Sequence, residues 1–240
     1  MKAPQLIVLL GIVSIGCGNS DSKPAAKKTA EANAVKVTAE NQKSLFPFAV
    51  GNTWSYSMEV NAEAVNRPRQ SINGVLTYTI TKVTKDSATS SRAMMQVTRD
   101  GKKQDEQEWL CDDKGIYQTS MKAGQPTFSP RQPVILFPAG KEGNFKWEGT
   151  GTTPVGKPGQ MTYAYKNDGL QTVDTEMGSM TGVFMQSVGS FKTNDGLGGA
   201  IGVNAWYSPG VGLIRYRQDL RLKDAVSSIV LRLKSYNVKK

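Results

Sequence analysis

Asn52-Thr53-Trp54-Ser55-Tyr56-Ser57-Met58-Glu59-Val60 decides the fold class. Trp54, Tyr56, Met58 and Val60 fall on one face of an extended chain, and Ser55, Ser57 and Glu59 on the other. A period of two over nine residues is the signature of a half-buried β-strand, because successive side chains of a strand point to opposite faces.

The same period recurs outward from this stretch. Leu76, Tyr78 and Ile80 predict a second strand, and Ala93, Met95 and Val97 a third after the polar turn at Lys85 to Ser91. Trp109-Leu110-Cys111 ends a fourth, and Asp112-Asp113-Lys114-Gly115 supplies turn chemistry into Ile116 to Met121. Pro130, Pro133 and Pro138 surround the apolar Val134 to Phe137, which predicts an edge strand or crossing segment, since proline has no N–H for a central ladder. Phe145 to Gly149, Gln160 to Lys166, Leu170 to Met177 and Ser179 to Phe191 follow as strands, with Asn167-Asp168-Gly169 expected as a turn. The glycine-rich Asp195 to Gly202 lacks the strand-before, helix-after context of a phosphate-binding loop and is expected to be a mobile loop. Val211 to Arg217 and Ser227 to Tyr236 close the chain. With no 3.6-residue period over a dozen residues, the expectation is all-β: a single antiparallel sheet of about ten strands curved into a barrel, half-barrel or sandwich, with few helices.

Ahead of this body, Leu6 to Ile15 is a mostly apolar run after Lys2, followed by Gly16-Cys17. About ten apolar residues suit a secretory leader and fall short of the ~20 that span a bilayer as a helix. Ile15-Gly16-Cys17 resembles the lipobox of bacterial lipoprotein precursors, although Ser14 stands where a leucine is usual. The resemblance implies cleavage before Cys17, its lipidation (a palmitate-type acyl anchor), and export to the cell envelope. Gly18, rather than aspartate, implies the outer membrane facing the periplasm, or the cell surface. From Gly18 to Ser44 no aromatic residue occurs, so the segment cannot bury enough apolar area to offset its ordering entropy. The expected organisation is a signal peptide over 1–16, lipidated cysteine and flexible tether over 17–44, and a β domain over 45–240. A second resemblance, to uncharacterised bacterial secreted and lipoprotein β domains, rests on Phe46-Pro47, Gly51 to Tyr56 and Trp206 to Ile214. It implies a fold and a location but no activity.

The chain has no histidine and a formal charge of +10. Absence of histidine excludes Ser-His and Cys-His nucleophile pairs and the usual zinc nitrogen ligand. No cofactor or metal is expected, and with no recognition motif in an exported chain, no nucleic acid. Asp105, Glu106, Glu108, Asp112 and Asp113 do not have calcium-loop spacing and are expected on a solvated strand and turn. Two further groups stand as candidate sites. Arg215, Arg217, Arg232 and Lys234 would form a basic strip for an anionic envelope polymer or headgroups if their strands pair. Trp54, Tyr56, Met58, Tyr78, Met95 and Trp206 would line a cavity for an apolar ligand if the sheet encloses one. The function expected is therefore a lipid-anchored envelope protein whose β domain is non-enzymatic and serves binding or structure. A lipid or lipoprotein carrier with an apolar cavity is the alternative, and an enzyme independent of histidine a third.

Overall fold

The structure is a computed structural model and describes residues 37–139 and 143–239. Twelve antiparallel strands form one sheet: β1 (Thr53–Ala64), β2 (Gln70–Lys85), β3 (Ser91–Arg99), β4 (Lys102–Cys111), β5 (Gly115–Ser120), β6 (Gln132–Leu136), β7 (Gly143–Thr152), β8 (Pro158–Thr175), β9 (Gly178–Thr193), β10 (Gly198–Ser208), β11 (Gly212–Leu222) and β12 (Ala225–Asn237). Across the sheet they run β6-β5-β4-β3-β2-β1-β12-β11-β10-β9-β8-β7. Every strand pairs with its neighbours in sequence except β6 with β7, and the first and last strands pair in the middle. The sheet curls into a nearly closed barrel whose one seam lies between β6 and β7. At that seam Ser129 and Thr150 exchange two backbone hydrogen bonds of 2.9 Å, so one end is pinned while the strands themselves stay unpaired.

Residue chemistry explains the seam. Strand β6 has only five residues and includes Pro133, which offers no N–H to a neighbour. The peptide bonds Ser129-Pro130 and Phe137-Pro138 on either side of it are both cis. The proline-flanked segment is thus the edge strand that its sequence predicts.

Strand β1 shows the predicted alternation without a fault through Ala62: Trp54, Tyr56, Met58, Val60 and Ala62 are buried and the residues between them are not. Its donors reach across the barrel wall. The Trp54 indole N–H donates to the Val211 carbonyl, and the Tyr56 hydroxyl donates to the Leu213 carbonyl at 2.9 Å. Gly212, between those carbonyls, has φ +105°, and a Cβ there would lie 3.0 Å from the indole nitrogen. Glycine is needed both for the backbone conformation and for the close approach of the ring. Ser208 to Val211 forms a tight turn, closed by the Val211 N–H to the Ser208 carbonyl at 3.0 Å.

Gln42–Leu45 is a short 3-10 turn seated on the barrel end where β1 begins. The Gly210 N–H reaches both the Ser44 carbonyl (2.9 Å) and its hydroxyl (3.1 Å), and Lys43 pairs with Asp113 at 2.7 Å. Leu45 and Phe46 are buried beneath this turn, and the Phe46 ring stacks between Trp54 (5.1 Å) and Trp109 (4.8 Å). Offset aromatic stacking adds to area burial, so Phe46 acts as the stopper of that end.

Two expectations from the sequence are corrected. Asn167-Asp168-Gly169 does not reverse the chain: β8 continues through it, with Asn167 pairing Met185 and Leu170 pairing Val183. Gly169 has φ +76° and its N–H is held by the Asn167 side-chain oxygen at 3.1 Å, so the chemistry of a turn is used for a bulge. The glycine-rich stretch also becomes strand from Gly198 onward, leaving only residues 194–197 as a turn. A Cβ on Gly199 would collide with the Phe191 ring, which explains a glycine inside that strand.

Replacing Tyr56 by phenylalanine keeps the ring but leaves the buried Leu213 carbonyl without its donor. A loss of about 1–3 kcal/mol in unfolding free energy is expected, measured as a lower urea midpoint at unchanged slope. Phe46→Ala, which removes the stopper, is expected to cost about 3–5 kcal/mol.

Candidate ligand cavity

Inward-facing side chains form two clusters. The first, at the Phe46 end, includes Trp54, Tyr56, Met58, Leu76, Ile116, Ile214, Ile229, Leu231 and Leu233; the second includes Phe128, Trp147, Met161, Tyr163, Tyr165, Phe191 and Leu220. Where they meet they leave a cavity of about 150 Å³. Its wall takes Phe46, Tyr78, Met95 and Trp109 from the first cluster and Met161, Tyr163 and Tyr165 from the second. Gln132, Pro133 and Val134 of β6 also line it, as does Thr152 at the end of β7, so the space extends to the seam.

Strand phase places these groups. Met161, Tyr163 and Tyr165 are alternate inward residues of β8, and Gly189 pairs opposite Tyr163 on β9. A Cβ on Gly189 would collide with the Thr162 carbonyl and press on the Tyr163 ring, so the missing side chain sets where that ring lies. Two glutamine oxygens in the wall are occupied: Gln107 accepts from the Trp109 indole at 3.1 Å, and Gln218 accepts from the Tyr216 hydroxyl at 2.7 Å. The Gln132 amide donates to the Tyr165 hydroxyl at 3.2 Å. Among the described residues, the amide N–H groups of Gln107 and Gln218 and the hydroxyls of Tyr78 and Tyr207 have no protein partner. All four residues line the cavity.

Burial raises the pKa of Tyr78, Tyr163, Tyr165, Tyr207 and Tyr216 above the usual phenol value, so all five stay protonated at neutral pH. Tyr216 is raised secondarily by Tyr78, Tyr207, Tyr163 and Tyr165, which reflects hydroxyls gathered around one space. Among the described residues, no Asp, Glu, Lys or Arg lines the cavity. Trp147 Nε1, on edge strand β7, is a buried donor without an acceptor among the described residues.

Of the six residues expected to line a cavity, Tyr78 and Met95 do so. Trp54, Tyr56 and Met58 point inward but lie packed within the first cluster. Trp206 is on the outer face, stacked on Phe184 at 4.8 Å with its indole N–H on the Gln171 side-chain oxygen. The glutamines and the β8 and β9 members of the wall were not singled out by sequence. Nothing in the sequence around Gln107 and Gln218 marks them as inward, whereas the spacing of two in Met161, Tyr163 and Tyr165 is a detectable signal.

On the outside, β11 pairs with β12, and of the four basic residues Arg215 faces Arg232 in register. Arg217 is bonded to Asp219 at 2.8 Å and Arg232 lies 3.5 Å from Glu59, while the Arg215 guanidinium sits 5.7 Å from the Trp206 ring. Each member of the acidic group is also paired: Asp105 with Lys122, Glu106 with Lys103, Glu108 with Arg92, Asp112 with Arg131 and Asp113 with Lys43. Cys111 is buried, and burial pushes its thiol up to about 11, as expected of a packed small hydrophobe. Cys17 lies outside the described residues.

No family model and no curated protein matches the chain. Among solved structures, a candidate lipoprotein from Parabacteroides distasonis shares 14% identity over 80% of this chain and 98% of its own, with a TM-score of 0.47. A candidate exported protein with a YmcC-like fold from Bacteroides fragilis shares 11% over 80% of this chain and 98% of its own, with a TM-score of 0.43. The hypothetical lipoprotein YmcC from Escherichia coli shares 8% over 79% of this chain and 90% of its own, with a TM-score of 0.29.

The interior tyrosines give the protein a defined alkaline limit. Their folded pKa values lie above the ordinary value of 10.0, so their contribution to stability is complete below pH 10. It is lost as pH rises through the folded values, because the unfolded chain releases those protons first. In an alkaline titration the phenolate absorbance of these six tyrosines is expected to appear in one step with the loss of β-sheet circular dichroism. Gradual ionisation ahead of unfolding would mean that the interior phenols meet bulk water.

Proposed function

We propose that this chain is a lipid-anchored cell-envelope protein whose β barrel is a non-enzymatic binding domain for a small ligand. The observation that carries the binding role is the uncharged cavity between the two clusters, with hydroxyl and amide groups turned into it. Ligand sites are concave, mostly apolar and equipped with a few placed polar groups, and this cavity has that composition. Its tyrosines are held protonated by burial, which supports binding rather than acid-base work at neutral pH.

Size separates this reading from a lipid carrier. Sites for drug-sized ligands occupy roughly 300–1,000 Å³, whereas the cavity has about 150 Å³. A two-chain lipid would have to displace the stopper or one of the clusters. The anchor rests on the leader, Ile15-Gly16-Cys17 and the aromatic-free segment that follows. A lipoprotein-type modification adds several acyl chains, each buried methylene contributing about 0.8 kcal/mol, so attachment needs no contribution from the barrel surface. The membrane would be the outer membrane on its periplasmic side, or the cell surface.

Cells grown with a radioactive fatty acid are expected to label the wild-type chain and leave Cys17→Ala unlabelled; label retained by the variant would overturn the anchor. Native mass spectrometry of the purified protein is expected to show no bound phospholipid beyond its own covalent acyl chains. Retained phospholipid would favour the carrier.

A further inference from the structure

We propose that the barrel cavity is a site for one uncharged aromatic ring bearing a hydroxyl group, entered through the β6–β7 seam. This rests on the binding role above and names the class of ligand.

Volume sets the first limit. A cavity of about 150 Å³ matches the size at which an enclosed protein cavity accepts benzene. One ring with a small substituent fits it; a fused ring system or an acyl tail does not. Charge sets the second limit. Among the described residues, the wall is made only of Tyr, Phe, Trp, Met, Gln, Ser, Thr, Pro and aliphatic residues. An ionised ligand would shed its hydration without meeting a counter-ion, which is a heavy cost in such surroundings.

The wall's chemistry then selects an aromatic ring over an aliphatic one. Met95, Met121, Met161 and Met185 all line the space. Thioether sulfur makes favourable contacts with aromatic edges, and its flexible chain lets the wall close on a flat ligand. Tyr163 and Tyr165 add ring faces to the same wall, and Tyr165 is already stacked on Phe145 at 4.6 Å. The hydroxyl on the ligand follows from the polar atoms left over. Tyr78, Tyr207, Gln107 and Gln218 bring donors to the cavity that no described protein atom accepts. A purely hydrocarbon ring would leave all of them unmet, whereas a ligand hydroxyl accepts from one or two, and a buried unmet donor costs more than a made bond gains. Access is supplied by the seam, since the wall includes β6 and the end of β7, the two strands that do not pair.

Phenol, toluene and benzoate are the probes, each titrated at pH 7 into the full chain and followed by saturation-transfer NMR and the thermal unfolding midpoint. Phenol is uncharged at this pH, as the tyrosine side chain is. Saturable phenol binding with a Kd on the order of 1 mM is expected for a ligand of seven heavy atoms. Toluene is expected to bind roughly tenfold more weakly through the missing hydrogen bond, and benzoate not at all. Ala205→Leu, which puts a larger side chain into the wall, is expected to abolish phenol binding without lowering the midpoint. Ser187→Val, a smaller change in the same wall, is expected to weaken it, and serves if the leucine variant does not fold. Gln218→Leu is expected to remove the preference for phenol over toluene.

Benzoate binding equal to that of phenol, toluene binding at least as tight, no saturable phenol signal, or phenol binding unchanged in Ala205→Leu and Ser187→Val would each overturn the proposal. None of these results would alter the fatty-acid label or the absence of phospholipid, which test the anchored binding domain separately.

Discussion

The interaction on which the rest depends is the pair of donors that β1 sends to the carbonyls on either side of Gly212. Trp54 and Tyr56 belong to the first strand, and Val211 and Leu213 to the turn and strand two places away across the sheet. Between them lies β12, so the two hydrogen bonds cross a neighbouring strand and fix how tightly the sheet curls at that point. Both acceptors are backbone groups, Leu213 buried and Val211 part-buried, where a missing partner is expensive. Position 212 must then be glycine, both for its left-handed φ and for the indole resting on it. With β1 held in this way, Phe46 can stack between Trp54 and Trp109 and stop the barrel end.

A meander closed by its first and last strands has only one place left to open. That place is β6 against β7, which form no ladder, and Pro133 in β6 offers no N–H to build one. Natural sheets blunt exposed edges, and here the two edges face each other across a seam pinned by Ser129 and Thr150. The interior follows from this geometry. Large aromatic and aliphatic groups fill the stoppered end, the second cluster fills the other, and the uncharged cavity occupies the join and reaches the seam. A packed end therefore supplies stability while the seam side supplies access.

Much of the fold was legible because strand phase is written in residue type. Trp54, Tyr56, Met58 and Val60 gave the inner face of β1, and Leu76, Tyr78, Ile80, Ala93, Met95 and Val97 those of β2 and β3, all buried except the residues between them. The two motifs around Trp54 and Trp206 bracket the body in sequence, and they prove to be in contact through Val211 and Leu213. What escaped reading was whatever depends on partners far along the chain. Nothing local distinguishes a turn at Asn167 to Gly169 from a bulge, because both use a side-chain oxygen and a glycine at positive φ; the partner strand β9 decides. Trp206 looked inward by its bulk, yet the phase of β10 turns Ala205 and Tyr207 inward and Trp206 out. Gln107, Gln132 and Gln218 carry no local signal of their place, since a glutamine inside a barrel makes sense only beside the tyrosine or tryptophan it bonds.

The described chain enters the barrel at the stoppered end, where Ser44 bonds Gly210 and the Gln42 side chain accepts from the Ala139 N–H just past β6. The central claim is that the barrel holds a real, accessible space between its two clusters, and a crystal structure determined under xenon pressure tests it most directly. Xenon density enclosed by Tyr78, Met95 and Met185 is the predicted result; an interior closed by side chains, with xenon only on the outer surface, would contradict it.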